Sequence, residues 1–550
     1  MAIDSSTVSA LMPEAILVVA AILVFLGGAF APSRTVWTLA ALAGLGIAAL
    51  ALARTPAALL EAVGGDAGTT DYAWIADRLA NVGRVCALLL GALFVIFSTQ
   101  SRQKHLHAEI VGCILLITVG LMLVTGAADL VLMFVGFELI SIPTYVLLFV
   151  GRPGRASDEA TAKYFYLSLL SSAILLYGFA TLYGLAGDTR LDTIQAALEP
   201  ARSGPFRVLF PVAFLMVLCG FSFKLASVPF HFYAPDVYQA TTSLNAALLA
   251  VVPKVAGVVG LVRILVIAIP HEFTAVWQTV VVLAVVTMTI ANVAALWQSD
   301  FRRLMAYSSI AHAGYLLVGL AAALAARDNL GWGPSAVAAM VFYVIAYAAA
   351  TVGAFASVAY LSDDDESFSK LSQLAGVGRA HPLIGALMAI CMFSLSGIPP
   401  LAGFLGKFAL FRSALDAALP AEGGVNPWFL ALCIVGVLNA AIAAAYYLRV
   451  IAVMYFDGGQ ESQSELEVAG NTGAGLAALL SAFLVLSAGL FAGNAMSNVH
   501  SAAKAAWPIR MTAEAAKGEV AKGKTGVSPR AAAALVSSER AAEVEHGSTR

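Results

Sequence analysis

Fourteen stretches of about 20 mostly apolar residues, separated by short polar or Gly/Pro-rich breaks, fill the chain as far as residue 495 and restrict its fold more than any other feature. A helix needs about 20 apolar residues to cross the hydrocarbon core of a bilayer. Lipid offers a backbone nothing to hydrogen-bond, so each run has to satisfy its own peptide groups. The expected fold is an all-α polytopic membrane protein with about 14 transmembrane helices. They lie near residues 12–31, 35–53, 80–98, 109–126, 129–150, 161–186, 206–228, 240–269, 274–297, 303–324, 335–361, 382–411, 427–456 and 472–494.

Composition points the same way. The chain is 60% apolar and 12% charged, with a mean hydropathy of +0.86, whereas soluble domains carry about 25% charged residues. Its 31 basic and 33 acidic residues give a formal net charge of −2, which supplies no field for nucleic acid. Five isolated cysteines, Cys86, Cys113, Cys219, Cys391 and Cys433, have no CxxC or Cys/His spacing for zinc, haem or iron–sulfur and read as small apolar fillers.

The N-terminus carries Asp4 and Glu14 instead of a basic region, so the apolar run Ile16–Phe30 reads as a retained first helix and not as a secretion signal. From about His500 the chain becomes rich in Ala, Lys, Glu and Ser, and residues 500–550 are expected to form a disordered polar tail. Within it Gly518–Thr525, GEVAKGKT, matches the GxxxxGK[ST] phosphate loop. Without a strand before it and a helix after it, the match reads as chance. An even number of helices places both termini on one side. Ten Lys/Arg in one set of loops against seven in the other put the N-terminus outside.

An ionised side chain at mid-bilayer costs at least about 2.5–3.5 kcal/mol, which makes intramembrane charges functional candidates. Glu138, Lys224, Lys254 and Lys407 lie deep in apolar runs, and Lys163 stands near a helix end, where it could equally snorkel to the interface. Four lysines cannot all be neutralised by one glutamate, so some must stay neutral or take up charge transiently. That is the physics of a stepwise proton relay. Pro229 follows Lys224, while Gly397, Pro399, Pro400, Gly403 and Gly406 precede Lys407. Such breakers predict that helices 7 and 12 are broken, because unwound backbone is tolerated in a membrane only where it lines a polar cavity.

A shallow internal repeat fits this pattern. Helices 1–3 occupy 1–108, an inverted five-helix repeat 109–269, a second one 270–456, and helix 14 residues 457–499, with Lys224 and Lys407 expected in equivalent seats. His231, Tyr233, Ser308, Ser309, His312, Tyr315, Tyr343 and Tyr347 could hydrate the path between them. His312 is the strongest of these, since SSIAHAG sets a group that titrates near neutral pH among small residues.

At these residues the chain resembles the antiporter-like membrane subunits of respiratory complex I and of the related multi-subunit cation/proton antiporters. The motifs are FSFKLASVPFHFYAPDVY, RRLMAYSSIAHAGYLLVG and SLSGIPPLAGFLGKF. KYFYLSLLSSAILLYG with Lys163, a lysine at 407 and the lack of a long C-terminal lateral helix are most similar to the subunit N branch. The resemblance implies a fourteen-helix proton channel driven by electron transfer elsewhere in a quinone-reducing complex of the bacterial inner membrane. In it Glu138 pairs with Lys224, Lys254 is central, Lys407 serves the second half-channel and Lys163 tunes the first. It implies other membrane subunits, lipid and protons as partners. No cofactor is expected on this chain, since NADH, flavin, iron–sulfur clusters and quinone would belong to other subunits. The sequence departs from the family pattern in ATTSLNAALLAVVPK, before Lys254, and in its tail. Alternatives are a subunit of a cation/proton antiporter or membrane-bound hydrogenase, a structural membrane scaffold and a self-sufficient solute carrier.

Overall fold

A computed structural model describes residues 9–31, 33–54, 73–75, 77–100, 104–198, 209–268, 274–326, 333–362, 369–419, 424–457 and 470–506. Six helices come first: α1 (Met12–Phe30), α2 (Arg34–Arg54), α3 (Arg78–Ser98), α4 (His107–Gly126), α5 (Leu130–Gly151) and α6 (Arg155–Ala186). They are followed by α7 (Leu209–Leu225), α8 (Tyr233–Ala240), α9 (Ser243–Leu261, continued as π-helix over Val262–Ala268), α10 (Thr274–Leu296), α11 (Phe301–Ala325) and α12 (Gly333–Leu361). The last are α13 (Pro382–Ser396), α14 (Ala402–Ala418), α15 (Pro427–Tyr455), α16 (Thr472–Leu490) and α17 (Ala492–Ala506).

Among the described residues twelve helices are long and apolar enough to cross a membrane, and α7 and α13 are shorter apolar helices, each followed by a second piece beyond a break. All fourteen expected stretches are therefore helical. Polar residues set many of their starts. Asp77, Asp129, Thr242, Asp300, Asn426 and Asn471 each accept a backbone N–H from the first turn of the helix they precede.

The end of the chain corrects one expectation. Helix continues through His500 to Ala506, so the tail does not begin at His500. The Ala-rich stretch has high helix propensity and turns Val499, Ala502 and Ala503 inward. Gly518–Thr525 and the rest of the expected tail lie outside the described residues.

Burial ranks the helices. Every residue of α9 is buried, as are nearly all of α11 and α12. α12 packs against α9, α11, α13, α14 and α16, and its run AYAAATVGAFAS supplies the small side chains that let helices approach closely in a membrane. Outer helices turn Val19, Leu23, Leu39, Leu50, Ile434 and Phe483 outward, as a lipid-facing surface requires.

Two buried arginines tie α1 and α3 to this core. Arg84 donates from Nε and Nη2 to the Glu14 carboxylate at 2.8 and 2.6 Å and lies 4.8 Å over the Trp74 ring. Arg263 grips Asp77 with two hydrogen bonds of 2.9 and 2.8 Å and donates to Thr125 O at 2.8 Å.

Both breaks carry the same hydrogen bonds. At the end of α7, Ala226 N–H donates to Phe223 O (2.9 Å) and Ser227 N–H to Ser222 O (2.8 Å); at the end of α13, Gly397 N–H donates to Ser394 O and Ile398 N–H to Phe393 O, both at 3.1 Å. This is the Schellman pair, which needs a left-handed residue at its corner. Ala226 (φ 56°) and Gly397 (φ 91°) provide it. A proline stands three residues on in each case, Pro229 and Pro400.

Superposing the corners corrects a second expectation. Lys224 lies before its corner, opposite Leu395, and Lys407 lies after its corner, opposite Asp236. The halves share a break, but their lysines do not occupy equivalent seats. The motif fixes only the backbone, so lysine can be placed on either side of it.

Candidate functional site

Lys224 ends α7 with only 5% of its surface exposed. Its Nζ donates to Ser141 Oγ at 2.8 Å and approaches Ser172 Oγ at 3.4 Å, while the Ser172 hydroxyl donates to Glu138 Oε1 at 2.6 Å. The ammonium and the carboxylate thus share one hydroxyl, and among the described residues they form no direct ion pair. Helical spacing explains the arrangement. Ser141 stands three residues beyond Glu138 on α5, and Ser172 faces both from α6. Glu138 itself is half-buried, on the side of α5 that exposes Val131, Val135, Ile142 and Val146.

Lys254 sits in the middle of the fully buried α9, 1% exposed, with no side-chain hydrogen bond or ion pair among the described residues. One turn earlier, Ala250 O accepts from Tyr347 Oη at 3.1 Å, and that hydroxyl also lies 2.9 Å from Ser309 Oγ. Tyr238 Oη approaches the same serine at 3.5 Å.

His312 follows, one turn beyond Ser309 on α11. Its Nδ1 lies 2.5 Å from Tyr343 Oη and its Nε2 2.9 Å from Tyr447 Oη, and Tyr447 is hydrogen-bonded in turn to Ser308. Its ring centroid lies 4.7 Å from that of Tyr347 and 5.8 Å from that of Tyr315. A neutral imidazole donates from one nitrogen and accepts at the other, and tyrosine hydroxyls can do either. A proton entering one side of the ring can therefore leave from the other.

Lys407 closes the line, 4% exposed. Its Nζ donates to the carbonyls of Leu395 (2.8 Å) and Ser396 (3.1 Å), the open C-terminal end of α13, where the helix dipole is negative. It also lies 5.1 Å over the Tyr315 ring.

A family model described as NADH:quinone oxidoreductase/Mrp antiporter, TM, matches residues 127–424, which contain all of these groups except Tyr447. The chain is 37% identical over 454 residues to NADH-quinone oxidoreductase subunit N of Trichlorobacter lovleyi, covering 82% of this chain and 88% of that one. The chain belongs to this family, in the subunit N branch. The subunit N of Rhodospirillum rubrum is 34% identical, with 81% and 87% covered. Among solved structures, a chain of respiratory complex I from Thermus thermophilus with bound aureothin is 31% identical, with a TM-score of 0.69 over 88% of this chain and 98% of that one. A chain of the Mrp complex from Dietzia sp. shares the fold at 21% identity, with a TM-score of 0.73 over 90% and 97%.

Within this family fold, three of the sequence candidates stand apart from the line. Lys163 lies two turns into α6 with 44% of its side chain exposed, paired with Glu159 at 2.7 Å and with Asp236 at 3.6 Å. Arg303 holds Asp236 from the other side at 2.8 Å. The helix starts at Arg155, earlier than its apolar run, and its first turns hold the lysine in a polar surface cluster. His231 is half-exposed in the first break, and Tyr233 is buried with its hydroxyl on Phe223 O at 3.2 Å. Ser308, Ser309, His312, Tyr315, Tyr343 and Tyr347 do come together.

Several members were missed. Ser141 and Ser172 carry no signal beyond being small and polar, since their role depends on which helices face each other. The pair Tyr446–Tyr447 and the mid-helix residues Asn292 and Asn439 were more legible, being polar groups inside apolar runs. Asn292 Nδ2 donates to Tyr315 Oη and to Asn439 Oδ1, both at 3.1 Å, and its Oδ1 accepts from Tyr446 Oη at 3.0 Å.

Proposed function

We propose that this chain is a proton-translocating membrane subunit of an NADH-quinone oxidoreductase, moving protons outward through Glu138, Lys224, Lys254, His312 and Lys407. The observation that carries the proposal is the set of buried groups: three lysines and a histidine, all at least about nine-tenths buried, with Lys224 bridged to the Glu138 carboxylate through Ser172, His312 held between two tyrosine hydroxyls and Lys407 on the open carbonyls of α13.

Each seat suits a different step. Glu138 and Lys224 exchange influence through Ser172, so a charge change at the half-buried carboxylate alters how firmly the lysine holds its proton. An ammonium at Lys254 is uncompensated and therefore short-lived, which suits a transfer point better than a store. His312 passes the proton between tyrosines, and Lys407 receives it where backbone carbonyls stabilise the charge. The two halves, 109–269 and 270–456, act as successive half-channels, with the N-terminus on the outer side of a bacterial inner membrane. Other membrane subunits flank this one, and the NADH, flavin, iron–sulfur and quinone sites belong to the rest of the complex.

The test is NADH-driven proton pumping in membranes carrying Lys224→Ala or Lys254→Ala, with assembly checked by native electrophoresis. Pumping should be lost in an assembled complex; wild-type pumping in a Lys224→Ala, Lys254→Ala double variant would refute the proposal.

A further inference from the structure

Lys407 has no carboxylate partner among the described residues, yet it is buried and offered hydrogen-bond acceptors, which is the environment of a charged lysine. Two backbone carbonyls account for only part of the compensation. The remaining group is Tyr315, itself 1% exposed, whose ring lies beneath the ammonium at 5.1 Å from the centroid.

Tyr315 is divided between two partners. Its face meets Lys407, while its hydroxyl accepts from Asn292 Nδ2 at 3.1 Å. Asn292 is in turn fixed by Tyr446 and Asn439 from α15. The ring is also boxed by near-perpendicular neighbours, with His312 at 5.8 Å, Tyr343 at 6.5 Å and Phe411 at 6.1 Å between centroids. Its orientation is therefore set from three helices. Among the described residues Tyr315 of α11 faces Lys407 directly, His312 lies against the Tyr315 ring, and Tyr343 of α12 packs on Gly406.

We propose that Tyr315 is a positioning residue that holds the protonated Lys407 through the face of its ring and not through its hydroxyl, a role that rests on the proton-relay function above. A desolvated ring face attracts a cation through its quadrupole, and a helix C-terminus adds a partial negative charge. Together they stabilise the ammonium without the full countercharge of a carboxylate, which would hold the proton too firmly for release.

The experiment compares Tyr315→Phe, Tyr315→Leu and Lys407→Ala in the assembled complex, reading NADH-driven proton uptake by inverted membrane vesicles across pH. Tyr315→Phe keeps the ring face and should pump within about twofold of wild type. Tyr315→Leu should move the alkaline limb of the profile down by about one pH unit, a tenfold change equivalent to about 1.4 kcal/mol. If the Leu variant does not assemble, Tyr315→Met, which fills the space without a π face, gives the same reading. Equal impairment of Phe and Leu would assign the role to the hydroxyl and overturn the proposal. A wild-type profile in Tyr315→Leu, with Lys407→Ala inactive, would overturn it while leaving the relay intact. Wild-type pumping in Lys407→Ala would remove the relay at Lys407 and this proposal with it.

Discussion

Ser172→Ala removes the one group that touches both Glu138 and Lys224. The hydroxyl donates to Glu138 Oε1 at 2.6 Å, the only side-chain hydrogen bond of that carboxylate among the described residues, and it lies 3.4 Å from Lys224 Nζ. Lys224 keeps Ser141 at 2.8 Å, so the lysine stays in place while the carboxylate loses its link. A hydrogen bond to a charged group contributes about 1.5–3 kcal/mol, which corresponds to a change in coupling of roughly tenfold to somewhat over a hundredfold. NADH-driven pumping should therefore fall by at least about tenfold in an assembled complex, and Ser172→Thr, which retains a hydroxyl, should recover most of it. A double-mutant cycle makes the expectation specific. Once Glu138→Gln has removed the carboxylate's charge, adding Ser172→Ala should cost little more. If Ser172→Ala slows pumping by the same factor in both backgrounds, the serine does not transmit the carboxylate's influence and the bridging role is wrong.

Two further expectations concern the frame that holds the site. A Cβ on Gly403 would stand 1.9 Å from Ser394 O, so Gly403→Ala must push α14 away from α13 and displace Lys407; assembly on native gels should drop sharply, whereas Gly46→Ala, with nothing within 4 Å, should leave it unchanged. Arg84→Leu strands the Glu14 carboxylate in the bundle and should destabilise the chain by about 3–5 kcal/mol, measured as heat resistance of the assembled complex, with partial recovery when Glu14→Leu is added.

The candidate site was legible in proportion to how far each residue violates the membrane rule. Lys224, Lys254 and Lys407 stand in runs where a charge is expensive, so they could be named without a fold, and His312 gained its place from the small residues around it. Lys163 shows the limit of that signal. It stands near the end of its apolar run, and two turns into α6 its side chain is 44% exposed beside Glu159 and Asp236, a setting that no periodicity in the sequence announces.

The sequence by itself determined the number and placement of the spans, because a bilayer accepts only backbone that bonds to itself, and it pointed to breaks in two of them, because Pro229 after Lys224 and the cluster Gly397, Pro399 and Pro400 before Lys407 disfavour an uninterrupted ladder. Only the tertiary structure decided which buried groups meet. Ser172 between Glu138 and Lys224, Tyr447 on the far side of His312, and the carbonyls of Leu395 and Ser396 beneath Lys407 belong to different helices or lie 11 or more residues away along the chain. It also decided that the two broken helices are alike in backbone and different in charge: the Schellman corner is set by hydrogen bonds within five residues, whereas the position of a lysine relative to it is set by the helices packed around it.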